Sequence, residues 1–169
     1  SLANDLGNLV NRTISMINRY FEGEIPSPAA LEPRREFPED VTLVSAAKVM
    51  FSNVAEAMNN LAFMDVFAAI WGVVNRANRY VEETTPWALA KTDRARLATV
   101  LYYLAESIRL IAQALWPVMP EAADRIAAML GTRILIGNAA KAYSWGVLRP
   151  GTKVVPKPEI LFPRIETRR

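Results

Sequence analysis

Residues 91–116 read KTDRARLATVLYYLAESIRLIAQALW. Apolar side chains recur here at helical spacing for longer than anywhere else in the chain. The capping residues Thr92 and Asp93 precede them and Pro117 follows. The spacing predicts a long helix from about Thr92 to Leu115, and any fold must be built around it.

Upstream, Val66, Phe67, Ile70, Trp71, Val74, Ala77, Tyr80 and Val81 keep the same period from Phe63 to about Thr84, where Pro86 limits the helix. Trp71, like Trp116, is read as core. The stretch VTLVSAAKVMFSNVAEAMNN (41–60) predicts another helix through Val44, Ala47, Val49, Phe51, Val54, Ala55 and Met58, with Asp40 or Thr42 as its N-cap. At the start, Leu2, Leu6, Leu9, Val10, Thr13, Ile17 and Phe21 trace one helical face, and Gly23 supplies a stop. Between these two helices Pro26, Pro28, Pro33 and Pro38 mark an extended surface connection.

Downstream, PEAADRIAAML (120–130) is a shorter helix, with Pro120 in its first turn and Gly131 just past its end. Residues 145–169 hold Pro150, Pro156, Pro158, Pro163, Gly146 and Gly151, too many breakers for a core element. The expectation is an all-α fold: a bundle of about five helices over residues 1–144, then an extended Pro-rich basic tail over 145–169 that needs something to lie against.

The chain has 169 residues, 51% of them hydrophobic and 22% charged, which suits one folded domain with one core. It contains no cysteine and no histidine. Disulfides, thiolate chemistry, imidazole bases and the usual transition-metal ligand sets are therefore unavailable, which argues against intrinsic catalysis. Glu82 and Glu83 are adjacent in sequence and share no helical face, so they do not read as a metal pair. The seven glycines are scattered without phosphate-loop spacing. No apolar run is long enough to span a membrane, and a soluble, cytoplasmic protein is expected.

The formal net charge of +3 is unevenly placed. Residues 1–91 carry 8 basic and 11 acidic side chains, residues 92–169 carry 12 and 6. The excess lies beyond Leu130, where Arg133, Lys141, Arg149, Lys153, Lys157, Arg164, Arg168 and Arg169 face only Glu159 and Glu166. Such a tail can follow a nucleic-acid backbone, lie against another domain or solvate the chain end, and charge alone leaves the three open.

The polar faces say more. Asn4, Asn8, Arg12, Ser15 and Arg19 form one stripe without an acid, opposite the apolar stripe of the first helix. Asn is a weak helix former, and amide and guanidinium groups aligned in this way suit the reading of base edges or phosphates. Asn4, near the helix start, reads more simply as a cap. Trp87 follows Pro86 in TTPWALAK between two helices. From a loop there it is either a wedge between helices or a stacking platform for an unpaired base. The pattern Asn-Arg-Tyr-x-Glu-x-x-x-Pro occurs twice, in INRYFEGEIP and ANRYVEETTP, which suggests two similar helix ends.

Three stretches carry a family likeness: SLANDLGNLVNRTISMINRYFEG (1–23), NRANRYVEETTPWALAK (75–91) and WGVLRPGTKVVPKPEILFPRIE (145–166). Together they resemble the anticodon-binding domain of bacterial methionyl-tRNA synthetases, over essentially the whole chain. The bundle and the Pro-Trp junction are shared with the valine, isoleucine, leucine and cysteine enzymes; LANDLGNLVNRT and LFPRIE are specific to the methionine member. The resemblance implies that the chain reads the C-A-U anticodon of methionine tRNA. It assigns Asn8, Arg12 and Trp87 as the principal anticodon contacts, with Asn4, Asn78 and Pro86 in a second rank. It also implies that the chain is a fragment: the nucleotide-binding catalytic domain, with its ATP, methionine and magnesium sites, is absent, and this part needs no cofactor of its own. The expected partners are methionine tRNA and the parent's catalytic domain, along which the tail would run; neither a membrane nor DNA is expected.

Two other readings stand beside this one. A helical protein–protein interaction module would keep the bundle and use the basic tail for docking, but would have no reason to retain Asn8, Arg12 and Trp87. The anticodon domain of a sister synthetase is opposed by the LFPRIE ending.

Overall fold

A computed structural model describes residues 1–162. Arg164, Glu166, Arg168, Arg169 and the last four residues of LFPRIE lie outside the described residues. Seven helices follow in order: α1 (Leu2–Phe21), α2 (Pro38–Asn59), α3 (Phe63–Thr84), α4 (Pro86–Thr92), α5 (Arg94–Leu115), α6 (Pro120–Met129) and α7 (Ala139–Ala142). The only β pairing among the described residues is an isolated antiparallel bridge between Glu24 and Lys153. The fold is all-α as expected. Two helices beyond the expected five are α4 and α7, of seven and four residues, too short to display a hydrophobic period.

The stretch 91–116 is the axis of the bundle. Every residue from Thr99 to Leu115 is buried, and α1, α2, α3, α4 and α6 all pack against α5. A helix surrounded on all sides must satisfy its own polar groups. Thr99 Oγ1 accepts from the Ala29 N–H at 2.9 Å, the Ser107 hydroxyl donates to the Tyr103 carbonyl at 2.7 Å, and Gln113 exchanges two hydrogen bonds with the Leu135 backbone.

The remaining buried pair on α5 holds the chain beyond α7. Arg109 donates to Glu106 through Nε at 2.8 Å and through Nη2, and to the carbonyls of Ala142 and Ser144 at 2.8 and 2.7 Å. Glu106 in turn accepts from the Leu148 N–H at 2.9 Å. Further along, the Ile25 N–H donates to the Thr152 carbonyl, the Val154 N–H to Gly23 and the Val155 N–H to Met129, at 2.8, 2.9 and 3.0 Å. Leu148, Val154 and Leu161 are buried. The breaker-rich segment up to residue 162 thus lies along the bundle and contributes side chains to its core. Gly131, just past α6, sits at φ 77° with the Lys153 carbonyl oxygen 2.1 Å from where a Cβ would be. Only glycine permits that crossing.

Several local expectations are corrected. α2 starts at Pro38 with Phe37 at the cap position, so neither Asp40 nor Thr42 caps it. Asp40 is buried inside the first turn, where it accepts from the Tyr80 hydroxyl at 2.6 Å and from Arg96 at 2.7 and 2.8 Å. The α2 core stripe runs through Leu43, Met50 and Ala57 as well as Val44, Ala47 and Val54, while Val49 and Ala55 are exposed. Ser1, not Asn4, caps α1; its hydroxyl accepts from the Asn4 N–H and the Asn4 side chain stays exposed. Trp71 is 40% exposed and Trp116 is half-buried, so neither is a core residue. The two Asn-Arg-Tyr helix ends also differ: α1 stops at Phe21, one residue past Tyr20, whereas α3 continues to Thr84, four past Tyr80.

Candidate nucleic-acid interface

The outer face of α1 forms the floor of the site. Leu6, Leu9, Val10, Thr13, Ile14 and Ile17 turn into the core, which leaves Asn4, Asn8, Asn11 and Ser15 exposed on the opposite side. α3 flanks one edge of this face. The Asn78 Nδ2 donates to the Asp5 carbonyl at 3.0 Å, and Glu82, one turn further along α3, accepts from Arg12 Nη2 at 2.8 Å. The tail flanks the other edge: Asn18 Nδ2 donates to the Val155 carbonyl at 2.9 Å, and Glu159 to Phe162 line a groove of about 360 Å³ together with Asn4, Asn8, Asn11 and Arg12.

Trp87 enters from the α3–α4 corner. Thr85 takes a left-handed conformation, φ 44°, closing α3 and opening α4 in a single residue. A β-branched residue in that region stores strain, and the following Pro86 fixes the first position of α4. Pro86 is buried, Trp87 is 43% exposed, and the Arg12 guanidinium lies 6.0 Å from the Trp87 ring centroid. Trp87 is therefore in the first turn of a short helix, not in a loop, and its ring projects to solvent instead of wedging helices apart.

The structure brings Arg12 and Trp87 together, with Asn8 one helical turn from Arg12 on the same face. Asn4 opens onto the same groove. Asn78 is committed to α1 through its amide group; its Oδ1 is buried and has no hydrogen-bond partner among the described residues. Pro86 makes no surface and serves to place Trp87. The basic residues Arg133, Lys141 and Arg149 are elsewhere, around a separate cavity of about 900 Å³ between the 27–31 connection, α5 and the tail.

Sequence reasoning did not assign Glu82, Asp5 or residues 159–162 to this face. Glu82 was legible in principle, four residues after Asn78 and so on the same helical edge. Glu83 turns away: hydrogen bonding to Arg76, with the charges of Arg76 and Arg79, holds its carboxyl below the usual range. Among the described residues no group of three acidic, histidine or cysteine side chains stands where it could hold a metal ion.

The fold is a small helical bundle that carries a groove lined by amides and a guanidinium and edged by a projecting indole. The comparisons narrow the class. Residues 33–169 match the family model described as the anticodon binding domain of methionyl tRNA ligase, and the chain belongs to that family. Asn4, Asn8 and Arg12 precede the matched span, whereas the alignments with relatives take in 98% of the chain. The methionine–tRNA ligase of Caldanaerobacter subterraneus subsp. tengcongensis is 43% identical over 167 residues, and methionine–tRNA ligase 1 of Bacillus anthracis is 44% identical over 173. Each alignment takes in 98% of this chain and 25% of the relative, so the chain spans about a quarter of their length. The free-state crystal structure of Mycobacterium tuberculosis methionyl-tRNA synthetase superposes with a TM-score of 0.82 at 32% identity, over 98% of this chain and 33% of that one. The likeness covers the bundle, the corner and the tail together.

Proposed function

We propose that this chain is the anticodon-reading part of a methionine–tRNA ligase and binds the C-A-U anticodon loop of methionine tRNA through Asn8, Arg12 and Trp87. The observation that carries the reading is the placement of Arg12, held between Glu82 and the Trp87 ring beside the exposed Asn8. A splayed cytosine offers an amino donor and two acceptors. An Asn amide can answer both kinds of group, whereas Arg12 can only donate. Uracil reverses part of that pattern, and each polar group left unpaired costs about 1–3 kcal/mol. Trp87 adds stacking worth about 1–3 kcal/mol, tolerant of which base it meets. Asn4 extends the amide row, while Asn78 and Pro86 act by placing α3 and Trp87.

Aminoacylation, with its ATP, methionine and magnesium, belongs to the portion of the parent outside this chain, in the cytoplasm. The tail segment 145–169 would meet that catalytic domain, its residues 145–162 with the side not turned to the bundle. No helix among the described residues is long and apolar enough to cross a membrane.

The deciding experiment is binding of the chain to a C-A-U anticodon stem-loop and to one with uracil in place of the cytosine, at low and moderate salt. Preference for cytosine that survives moderate salt, weakened for both loops by Trp87→Ala and narrowed by Asn8→Ala or Arg12→Ala, supports the reading. Equal binding that vanishes with modest salt leaves only the basic residues at work and overturns it.

A further inference from the structure

Trp71 is the second tryptophan on this surface. The edge of its indole is pinned: Nε1 donates to Asp5 Oδ2 at 2.9 Å, while the side chain remains 40% exposed, close to the 43% of Trp87. The other two tryptophans, Trp116 and Trp145, are half-buried against the core. The hydrogen bond to Asp5 satisfies the indole N–H but leaves apolar ring in water, a placement that packing does not explain.

The position of Trp71 is defined by its helix. Trp71, Asn78 and Glu82 are spaced seven and four residues apart, so they share the edge of α3 that flanks α1. Each meets α1 in turn: Trp71 and Asn78 at Asp5, Glu82 at Arg12. Asp5 and Arg12 are separated by about 10 Å of helix. The two exposed indoles therefore bracket Asn8, Trp87 at the Arg12 end and Trp71 at the Asp5 end. An RNA strand that lies on Asn8 and continues away from Trp87 passes Trp71 next. Asp5 holds the indole N–H on the side of α1, the exposed Asn75 lies one helical turn further along α3, and Phe67 and the exposed Met64 lie one and two turns back.

We infer that Trp71 is a second stacking platform, which takes the base of the loop nucleotide flanking the recognised triplet. The inference rests on the anticodon reading proposed above. It adds affinity without adding to the choice between cytosine and uracil, since stacking accepts any base.

The test measures binding of the wild-type chain, Trp71→Ala and Trp71→Leu to three stem-loops: the intact C-A-U loop, a loop abasic at the nucleotide just 5′ of the triplet, and a loop abasic just 3′ of it. Thermal melts check that the variants fold, and Leu keeps bulk at the position should Ala fail to. The expected result is a loss of roughly 5- to 100-fold on the intact loop for either variant. That loss disappears on one of the two abasic loops, and the cytosine-over-uracil ratio stays as in wild type. In addition, 2-aminopurine at the same flanking position is quenched by the wild type and not by Trp71→Leu. Wild-type affinity in the variants overturns the inference, as does an equal loss on all three loops, which marks a purely structural role. Either result leaves the cytosine preference of the wild-type chain intact. Absence of that preference counts against the anticodon reading, while the comparison of intact and abasic loops still decides the role of Trp71.

Discussion

Arg12 on α1 and Glu82 on α3 are joined at 2.8 Å across 70 residues of sequence, and the same guanidinium lies 6.0 Å from the Trp87 ring centroid. The pair is at the surface, with side chains 31% and 62% exposed, so it adds little to stability. Its effect is on conformation. One Nη2 hydrogen bond restricts a side chain with large rotamer entropy that lines the groove, which lowers the ordering cost of the RNA binding proposed for it.

Replacing Glu82 by Gln removes a carboxylate from the edge of the proposed RNA-binding face and loosens Arg12 at the same time. Folding stability changes by less than about 0.5 kcal/mol, as expected of an exposed pair. Affinity for both cytosine and uracil loops rises at low salt, because a negative charge near the phosphates is gone, and the ratio between the two loops falls. Fluorescence anisotropy titrations of both loops at two salt concentrations check the prediction; an unchanged ratio would show that Glu82 does not position Arg12.

The Glu106–Arg109 pair behaves in the opposite way because it is buried, 0% and 4% exposed. Glu106→Gln leaves the guanidinium without a counter-charge inside the bundle, a change that costs about 3–5 kcal/mol. The melting temperature should fall by roughly 10 °C. Amide hydrogen exchange should quicken first at residues 142–148, which the pair holds to α5. The double variant Glu106→Leu, Arg109→Met removes both charges but also leaves the Leu148 N–H and the Ala142 and Ser144 carbonyls without these partners, so it should be at least as damaging as Glu106→Gln.

Why some of this was legible in the sequence and some was not follows from period and distance. The helices α1, α3 and α5, of 20, 22 and 22 residues, announce themselves by apolar positions that recur over their whole length, and the shorter α6 by Pro120 and Gly131 at its ends. The groove floor is legible for the same reason, since Asn4, Asn8 and Arg12 fall where the core stripe of α1 does not. Trp71 is misread because it sits at the border of the α3 stripe, next to Ile70 and Val74, and periodicity cannot tell an edge position from a core one. Asp40 is misread because a carboxylate near a helix start resembles a cap, while its partners Tyr80 and Arg96 are 40 and 56 residues away. The core residues of the tail, Leu148, Val154 and Leu161, have no period at all; hydrogen bonds to Glu106 and to the Gly23 carbonyl place the first two at different parts of the bundle.

Gly131→Ala should be costly for a reason that can be separated from its backbone angle. At φ 77° any L side chain loses about 1–2 kcal/mol. A Cβ would in addition fall 2.1 Å from the Lys153 carbonyl oxygen, so the tail must shift away from α6. Gly137, at φ 83° with no atom within 4 Å of its Cβ position, is the control that pays only for the angle. Urea denaturation of Gly131→Ala and Gly137→Ala should show the former destabilised by clearly more; equal losses would mean that the tail yields freely at Lys153.

Three buried tyrosines make the fold sensitive to alkali. Burial raises the Tyr80 hydroxyl well above its ordinary range, and the Asp40 carboxylate that accepts its hydrogen bond at 2.6 Å raises it further. Burial likewise raises Tyr102 and pushes Tyr103 up to about 12. A group whose pKa is higher in the folded than in the unfolded chain stabilises fully below the unfolded value, near 10 for tyrosine, and that contribution is lost as pH climbs through the folded value. Melting temperatures should therefore hold to about pH 9.5 and then fall. Tyr103→Phe gives up hydrogen bonds to the Ala30 and Leu31 carbonyls, at 3.0 and 3.3 Å, so its melting temperature is lower at neutral pH. Its decline between pH 10 and 12 should nonetheless be shallower than that of the wild type, because one of the groups driven to ionise by unfolding is missing. Parallel declines in the two proteins would mean that Tyr103 contributes nothing to the alkaline loss.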